Sequence, residues 1–145
     1  MENYIDTRDL QELRIELKDQ ILEDFNSTFN TELEYFEDID TFLNDEDSSN
    51  ITSNEREDFN EYWKGEMEQI KEIDEIENNV DEFEFGCTLI HEDYFEEYTE
   101  EMLIDCGDLP KDLPTWIEID WSSTADNVKQ DYSEVEYQGE TYYFR

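Results

Sequence analysis

Eight carboxylates and no Lys or Arg lie between positions 92 and 108. Read as a helix over 91–105, this stretch sorts them into rows. Glu92, Glu96 and Glu100 form one i,i+4 row, and Asp93, Glu97, Glu101 and Asp105 form its neighbour. Successive members of a row stand ~6 Å apart along the axis, close to the step between phosphates on one nucleic-acid strand. Like charges at that spacing weaken an isolated helix by about 0.2–0.5 kcal/mol per pair. A chain that keeps such rows is presenting negative charge to something. Carboxylates are acceptors for Lys and Arg, so the chemistry on offer is occupation of cationic sites built for phosphate. A second acidic set, Glu72, Asp74 and Glu75 among Glu66, Glu68 and Glu77, is relieved only by Lys64 and Lys71. These two sets are the candidate partner-binding residues.

Other uses of the same residue types fit less well. Asp45-x-Asp47-x-Ser49 sits between helical patterns, as a calcium loop of the EF-hand type would. Its sixth position is Asn50, where glycine is needed, and its twelfth is Arg56, where a bidentate Glu is needed. No metal site is expected. His91 is the single histidine, and nothing in the sequence places it beside Cys87 or Cys106 as a nucleophile and base couple. A lone His at a strand–helix junction reads as a cap or a surface residue. There is no glycine-rich phosphate loop and no Cys–His cluster with metal spacing. No catalytic residue and no cofactor are expected, and the chain is not read as an enzyme.

The whole composition points the same way. Forty-five of 145 residues are Asp or Glu against nine Lys or Arg, a formal net charge of -36. Duplex DNA carries one charge per ~1.7 Å of axis, so that charge equals roughly 60 Å of duplex. A compact chain of this length is only about 30 Å across. High charge with low mean hydropathy is the signature of disorder, yet 14% of the residues are aromatic and they recur at regular spacing. An ordered protein is therefore expected. A surface of this sign is repelled by anionic lipid and by nucleic acid, so neither membrane nor direct nucleic-acid binding is expected. No apolar run approaches a membrane span. The polar, acidic start gives no sign of a secretory leader, and Cys87 and Cys106 are read as reduced thiols in a cytoplasm.

The elements that must position these groups follow from periodicity. Leu10, Leu13, Leu17 and Ile21, with Leu22 and Phe25, predict an amphipathic helix over 9–25, capped by Thr7 or Asp6. Leu33, Phe36, Ile39 and Leu43 predict a second helix with Thr31 as its cap. Residues 44–53 read as a loop. Ser53 or Asn54 opens a long helix to about Asn79, with Glu57 reaching back and a buried stripe of Phe59, Trp63, Met67, Ile70, Ile73 and Val80. Phe83, Phe85 and the run 87–90 read as a short strand, and residues 116–121 as a half-buried strand through Ile117, Ile119 and Trp121. The three tryptophans are read as core. Ser122 or Ser123 caps a short helix with Ala125, Val128 and Tyr132. Residues 134–137 and 140–144 form a hairpin about Gln138-Gly139. The fold class is α+β: a helical acidic region over 1–80 and a small region over 81–145 with short strands, helices and a terminal hairpin.

From Leu89 onward the order of features resembles the C-terminal region of the ArdA antirestriction family. It runs through an acidic aromatic helix (YFEEYTEEMLIDCG), a Leu-Pro connection (DLPKDLPTWIEID), a short helix (STADNVKQDY) and a closing hairpin (VEYQGETYYFR). The match covers about residues 89–145, and the first half of the chain shows no such likeness. The resemblance implies a non-enzymatic phage or mobile-element protein with the charge and shape of bent DNA. Such a protein occupies the DNA groove of a host DNA-binding enzyme, foremost a type I restriction–modification complex, in the bacterial cytoplasm. It also implies the option of a homodimer. Alternatives in the same frame are an anti-CRISPR or an inhibitor of another DNA-handling protein, and an acidic phage structural or scaffold protein that inhibits nothing.

Overall fold

The computed structural model describes residues 3–44 and 51–145. The fold is α+β, with a strand β1 (Tyr4–Asp6) followed by helices α1 (Thr7–Phe29), α2 (Asp38–Asn44), α3 (Ser53–Tyr62) and α4 (Lys64–Asn79). A 3-10 turn at Phe83–Phe85 leads to strand β2 (Thr88–His91), and a second at Glu92–Tyr94 leads to helix α5 (Phe95–Asp105). Helix α6 (Trp121–Lys129) and the strands β3 (Ser133–Tyr137) and β4 (Glu140–Phe144) close the chain. Two compact units result, one made of Met1–Asp9 with Ile76–Arg145 and the other of Leu10–Glu75.

The first unit holds an antiparallel four-stranded sheet in the order β1-β2-β4-β3. The β3–β4 hairpin is where its alternation predicts it. Val135 pairs with Tyr142, and Val135, Tyr137, Tyr142 and Phe144 are all buried. Its turn has φ of 53° at Gln138 and 77° at Gly139. A two-residue turn that matches strand twist needs positive φ at both positions, so Gln138 adopts a conformation that glycine or Asn takes more readily. Ile90, Phe95 and Ala125 form a small core under Tyr98, Val128, Tyr132 and Tyr143.

Residues Tyr4–Asp6, which carry no strand pattern, add an edge to this sheet through Ile5 opposite Leu89. Asp6 then caps α1, its carboxylate accepting from the Arg8 N–H at 2.9 Å. Thr7 is fully buried and spends its hydroxyl elsewhere. It donates to the Phe83 carbonyl at 2.9 Å and accepts from the Cys87 N–H at 2.8 Å.

The second unit is helical. Leu17, Ile21 and Phe25 of α1 meet Ile39, Leu43, Ile51, Phe59 and Ile70 in one core. Phe25 is its centre, with Phe29, Phe42 and Phe59 rings at 4.8, 5.7 and 5.2 Å.

Several expectations need correction. Leu33 and Phe36 pack on this core but are not helical, and Thr31 caps nothing. Asn26 instead holds the segment, accepting from the Thr31 hydroxyl and the Leu33 N–H and donating to the Leu33 carbonyl. The long helix is two helices that meet at Trp63, whose indole is held by Asp24 at 2.7 Å. Its cap is Thr52, one residue ahead of the expected Ser53 or Asn54. Glu55, not Glu57, reaches back to the cap, the Thr52 hydroxyl accepting from the Glu55 N–H and donating to its carboxylate.

Phe83 and Phe85 lie in a 3-10 turn rather than a strand, and Phe85 is exposed. Residues 116–120 form no strand, and Trp116 is 80% exposed rather than core. Alternation over so few residues does not specify a strand. Here the Ile117 N–H turns back to the Pro114 carbonyl, and Asp120, not Ser122 or Ser123, caps α6. The Ser123 N–H and hydroxyl both bond to Asp120, which lowers its pKa.

Candidate partner-binding surface

The exit from β2 sets the acidic face of the first unit. His91 ends the strand and is 1% exposed. Its Nδ1 accepts from the Asp93 N–H at 3.1 Å, and its Nε2 lies 2.7 Å from a Glu140 carboxylate oxygen. An accepting Nδ1 leaves the proton on Nε2, so the ring donates to Glu140. The histidine is thus a cap, as expected at this junction, but a buried one that ties the turn to β4. Neither ring nitrogen is left over for a thiol. Cys87 is itself buried, and that burial pushes its thiol pKa up, away from the reactive thiolate.

From this cap the chain makes one 3-10 turn carrying Glu92 and Asp93, both exposed. The α-helix proper starts at Phe95, because Phe95 and Thr99 are drawn into the core with Tyr98 and Met102 half-buried beside them. That anchoring turns the opposite side outward. Glu96, Glu97, Glu100, Glu101 and Asp105 are all exposed, and among the described residues no Lys, Arg or His pairs with any of them. The rows 96/100 and 97/101/105 therefore hold. Glu92 and Asp93 sit ahead of them on a tighter turn of three residues and do not continue the same lines.

Two aromatic residues brace this face. The Tyr94 hydroxyl donates to Glu101 at 2.9 Å, and its ring stands edge-on to Tyr4 at 4.8 Å. Hydrogen bonding with Tyr4 and with Glu101 raises the Tyr94 pKa. Tyr98, raised chiefly by burial, shares a hydroxyl bond of 2.9 Å with Tyr132.

The second acidic set lies on α4 in the helical unit, and its members differ. Asp74 is half-buried and paired with Arg14 at 2.7 Å, so part of its charge is already answered within the protein. Glu72 is half-buried and Glu75 is exposed. The calcium-type pattern at 45–50 lies outside the described residues. Among the described residues, no group of three or more His, Cys, Asp or Glu is placed to hold a metal ion. No described helix is long and apolar enough to cross a membrane.

Sequence reasoning missed two features. One is the bare Trp116, which its alternating neighbours disguise as a strand residue. The other is a cleft of about 370 Å³ between α1 and α3, lined by Asp24, Phe29, Glu55, Asp58, Phe59 and Tyr62. Its signal was present as Glu55, Asp58, Phe59 and Tyr62, which fall on one helical face, but only Phe59 was read there, as part of the buried stripe.

No family model, curated protein or solved structure matches the chain.

Proposed function

We propose that this protein is a DNA-mimic inhibitor that occupies the cationic DNA groove of a host DNA-binding defence enzyme, foremost a type I restriction–modification complex, in the bacterial cytoplasm. One observation carries the reading: a helix anchored by Phe95 and Thr99 turns five carboxylates outward with no basic partner among the described residues, on a chain of net charge -36. Paired acids would be spent on stability. Exposed acids in rows that no described cation neutralises supply acceptors for the Lys and Arg that otherwise hold phosphates. Association of such partners is steered by charge and weakens with salt. The ArdA resemblance over about residues 89–145 supports the same reading.

The test is a gel-shift competition. The protein is titrated into a type I methyltransferase complex bound to a labelled specific duplex, at two salt concentrations. Displacement near stoichiometric concentration, stronger at low salt and without binding of DNA by the protein, is the expected result. No displacement at large excess removes this target and leaves an anti-CRISPR-type inhibitor or an acidic phage structural protein. The site has its own control. Glu96, Glu97, Glu100 and Glu101 changed together to Lys, with the fold retained, should abolish displacement; undiminished displacement would sink the assignment of α5.

A further inference from the structure

The cleft between α1 and α3 combines two chemistries that seldom share a wall. Phe29, Phe59 and Tyr62 supply aromatic surface, with Phe29 and Phe59 in edge contact at 5.7 Å and Tyr62 73% exposed. Asp24, Glu55 and Asp58 supply carboxylates to the same space. Asp24 is already oriented, because the Trp63 indole N–H holds one of its oxygens at 2.7 Å. Glu55 is oriented by the Thr52 hydroxyl at 3.0 Å. Residues 55, 58, 59 and 62 follow the three- and four-residue spacing of a single helical face, so α3 delivers acids and rings side by side.

The occupant follows from that pairing. A hard divalent cation takes a shell of oxygens and gains nothing from rings. An apolar ligand would strip water from three carboxylates without returning a partner. A guanidinium satisfies both walls: its face stacks on an aromatic ring, and its edge donates two parallel bonds to a carboxylate. A lysine ammonium has the charge but not the flat face or the fork. The volume, near the lower end of ligand sites, suits a side chain better than a cofactor. Three other clefts carry a cation in the wall, Arg145 in those beside Cys87 and Lys18 in that beside Tyr35, whereas among the described residues no cation lines this one.

We propose that this cleft is a receptor for an arginine side chain of the cationic partner, held between Tyr62 and the carboxylates of Asp24 and Asp58. The inference deepens the DNA-mimic reading and rests on it for the identity of the partner, but not for the chemistry of the cleft. It assigns to the helical unit a contact that reads shape and planarity as well as charge. A specific inhibitor needs such a contact, because charge alone attracts every basic protein.

The test uses the full chain and two probes of equal charge, N-acetyl-arginine amide and N-acetyl-lysine amide, followed by NMR. The reporter is the Trp63 indole N–H, whose acceptor lines the cleft. The arginine probe should shift that resonance saturably and bind about two- to fivefold more tightly than the lysine probe. Tyr62→Ala should erase the preference, and Asp58→Asn should weaken the arginine probe; both positions are exposed, so unchanged dispersion elsewhere confirms folding. Equal response to the two probes, or a preference that survives Tyr62→Ala, overturns the proposal. The two readings fail separately. Arginine preference without displacement of DNA from the enzyme refutes the function and keeps the cleft. Displacement with no arginine preference does the reverse.

Discussion

Replacing Thr7 by Val tests whether the start of α1 is fastened by one hydroxyl. Val keeps the branched shape and removes the oxygen. Two buried backbone groups, the Phe83 carbonyl and the Cys87 N–H, then lose partners at 2.9 and 2.8 Å. Leaving the buried Cys87 N–H unsatisfied costs about 1–3 kcal/mol. That is a large share of a typical domain stability of about 5–15 kcal/mol. Cys87 is a reporter at the site itself, since its thiol is buried while Cys106 is exposed. In a Cys106→Ser background, labelling of Cys87 by a neutral disulfide reagent proceeds through opening of this segment. A loss of about 2 kcal/mol raises the open population, and with it the labelling rate, by about thirtyfold. Thr7→Ser keeps both bonds and gives up one methyl group, worth about 0.8 kcal/mol, or roughly fourfold. A Thr7→Val rate within threefold of wild type, or a Thr7→Ser rate equal to that of Thr7→Val, refutes the reasoning.

Three further outcomes follow from the same geometry. Thr52→Ala removes the cap on Glu55 and should cost about 0.5–2 kcal/mol in urea unfolding, with Thr52→Ser restoring most of it. Trp116→Ala should change stability by less than about 0.5 kcal/mol, because the ring is 80% exposed, and should remove most of the fluorescence that acrylamide quenches. The Cys87 pKa is raised by burial and then by the nearby carboxylates of Glu82 and Asp6. The folded state therefore holds this proton more tightly than the unfolded one. Stability is full below the ordinary thiol value and is lost as pH climbs through the raised one. Cys87→Ala should flatten that alkaline limb of the urea midpoint.

The buried stripe of α1 was legible because its members repeat every three or four residues along one side of the helix. Leu10, Leu17, Ile21 and Phe25 are all buried as their spacing implies. The hairpin was legible because alternation and a glycine turn are local. Helix ends were read less well, one residue off at Thr52 and four or more at the end of α1 and the starts of α2 and α5, because a cap depends on which neighbouring side chain captures the first free N–H. β1 was invisible. Three residues carry no period, and Tyr4–Asp6 became a strand only because β2 offered an edge to pair with. The strand expected at 116–121 failed for the opposite reason: its alternation had no edge to join, and Asp120 committed the next residues to a helix.

Sequence by itself determined the sign and amount of charge, the main amphipathic helices and the α+β class, since composition and short periods need no partner. Only the tertiary structure decided which acids are spent and which are offered. Asp74 is drawn to Arg14, Glu140 to His91 and Asp24 to the Trp63 indole, while Glu96, Glu97, Glu100 and Glu101 stay exposed with no basic partner among the described residues. Carboxylates look alike in a sequence. Their fates differ because desolvation and pairing depend on residues brought near by packing, many positions away along the chain.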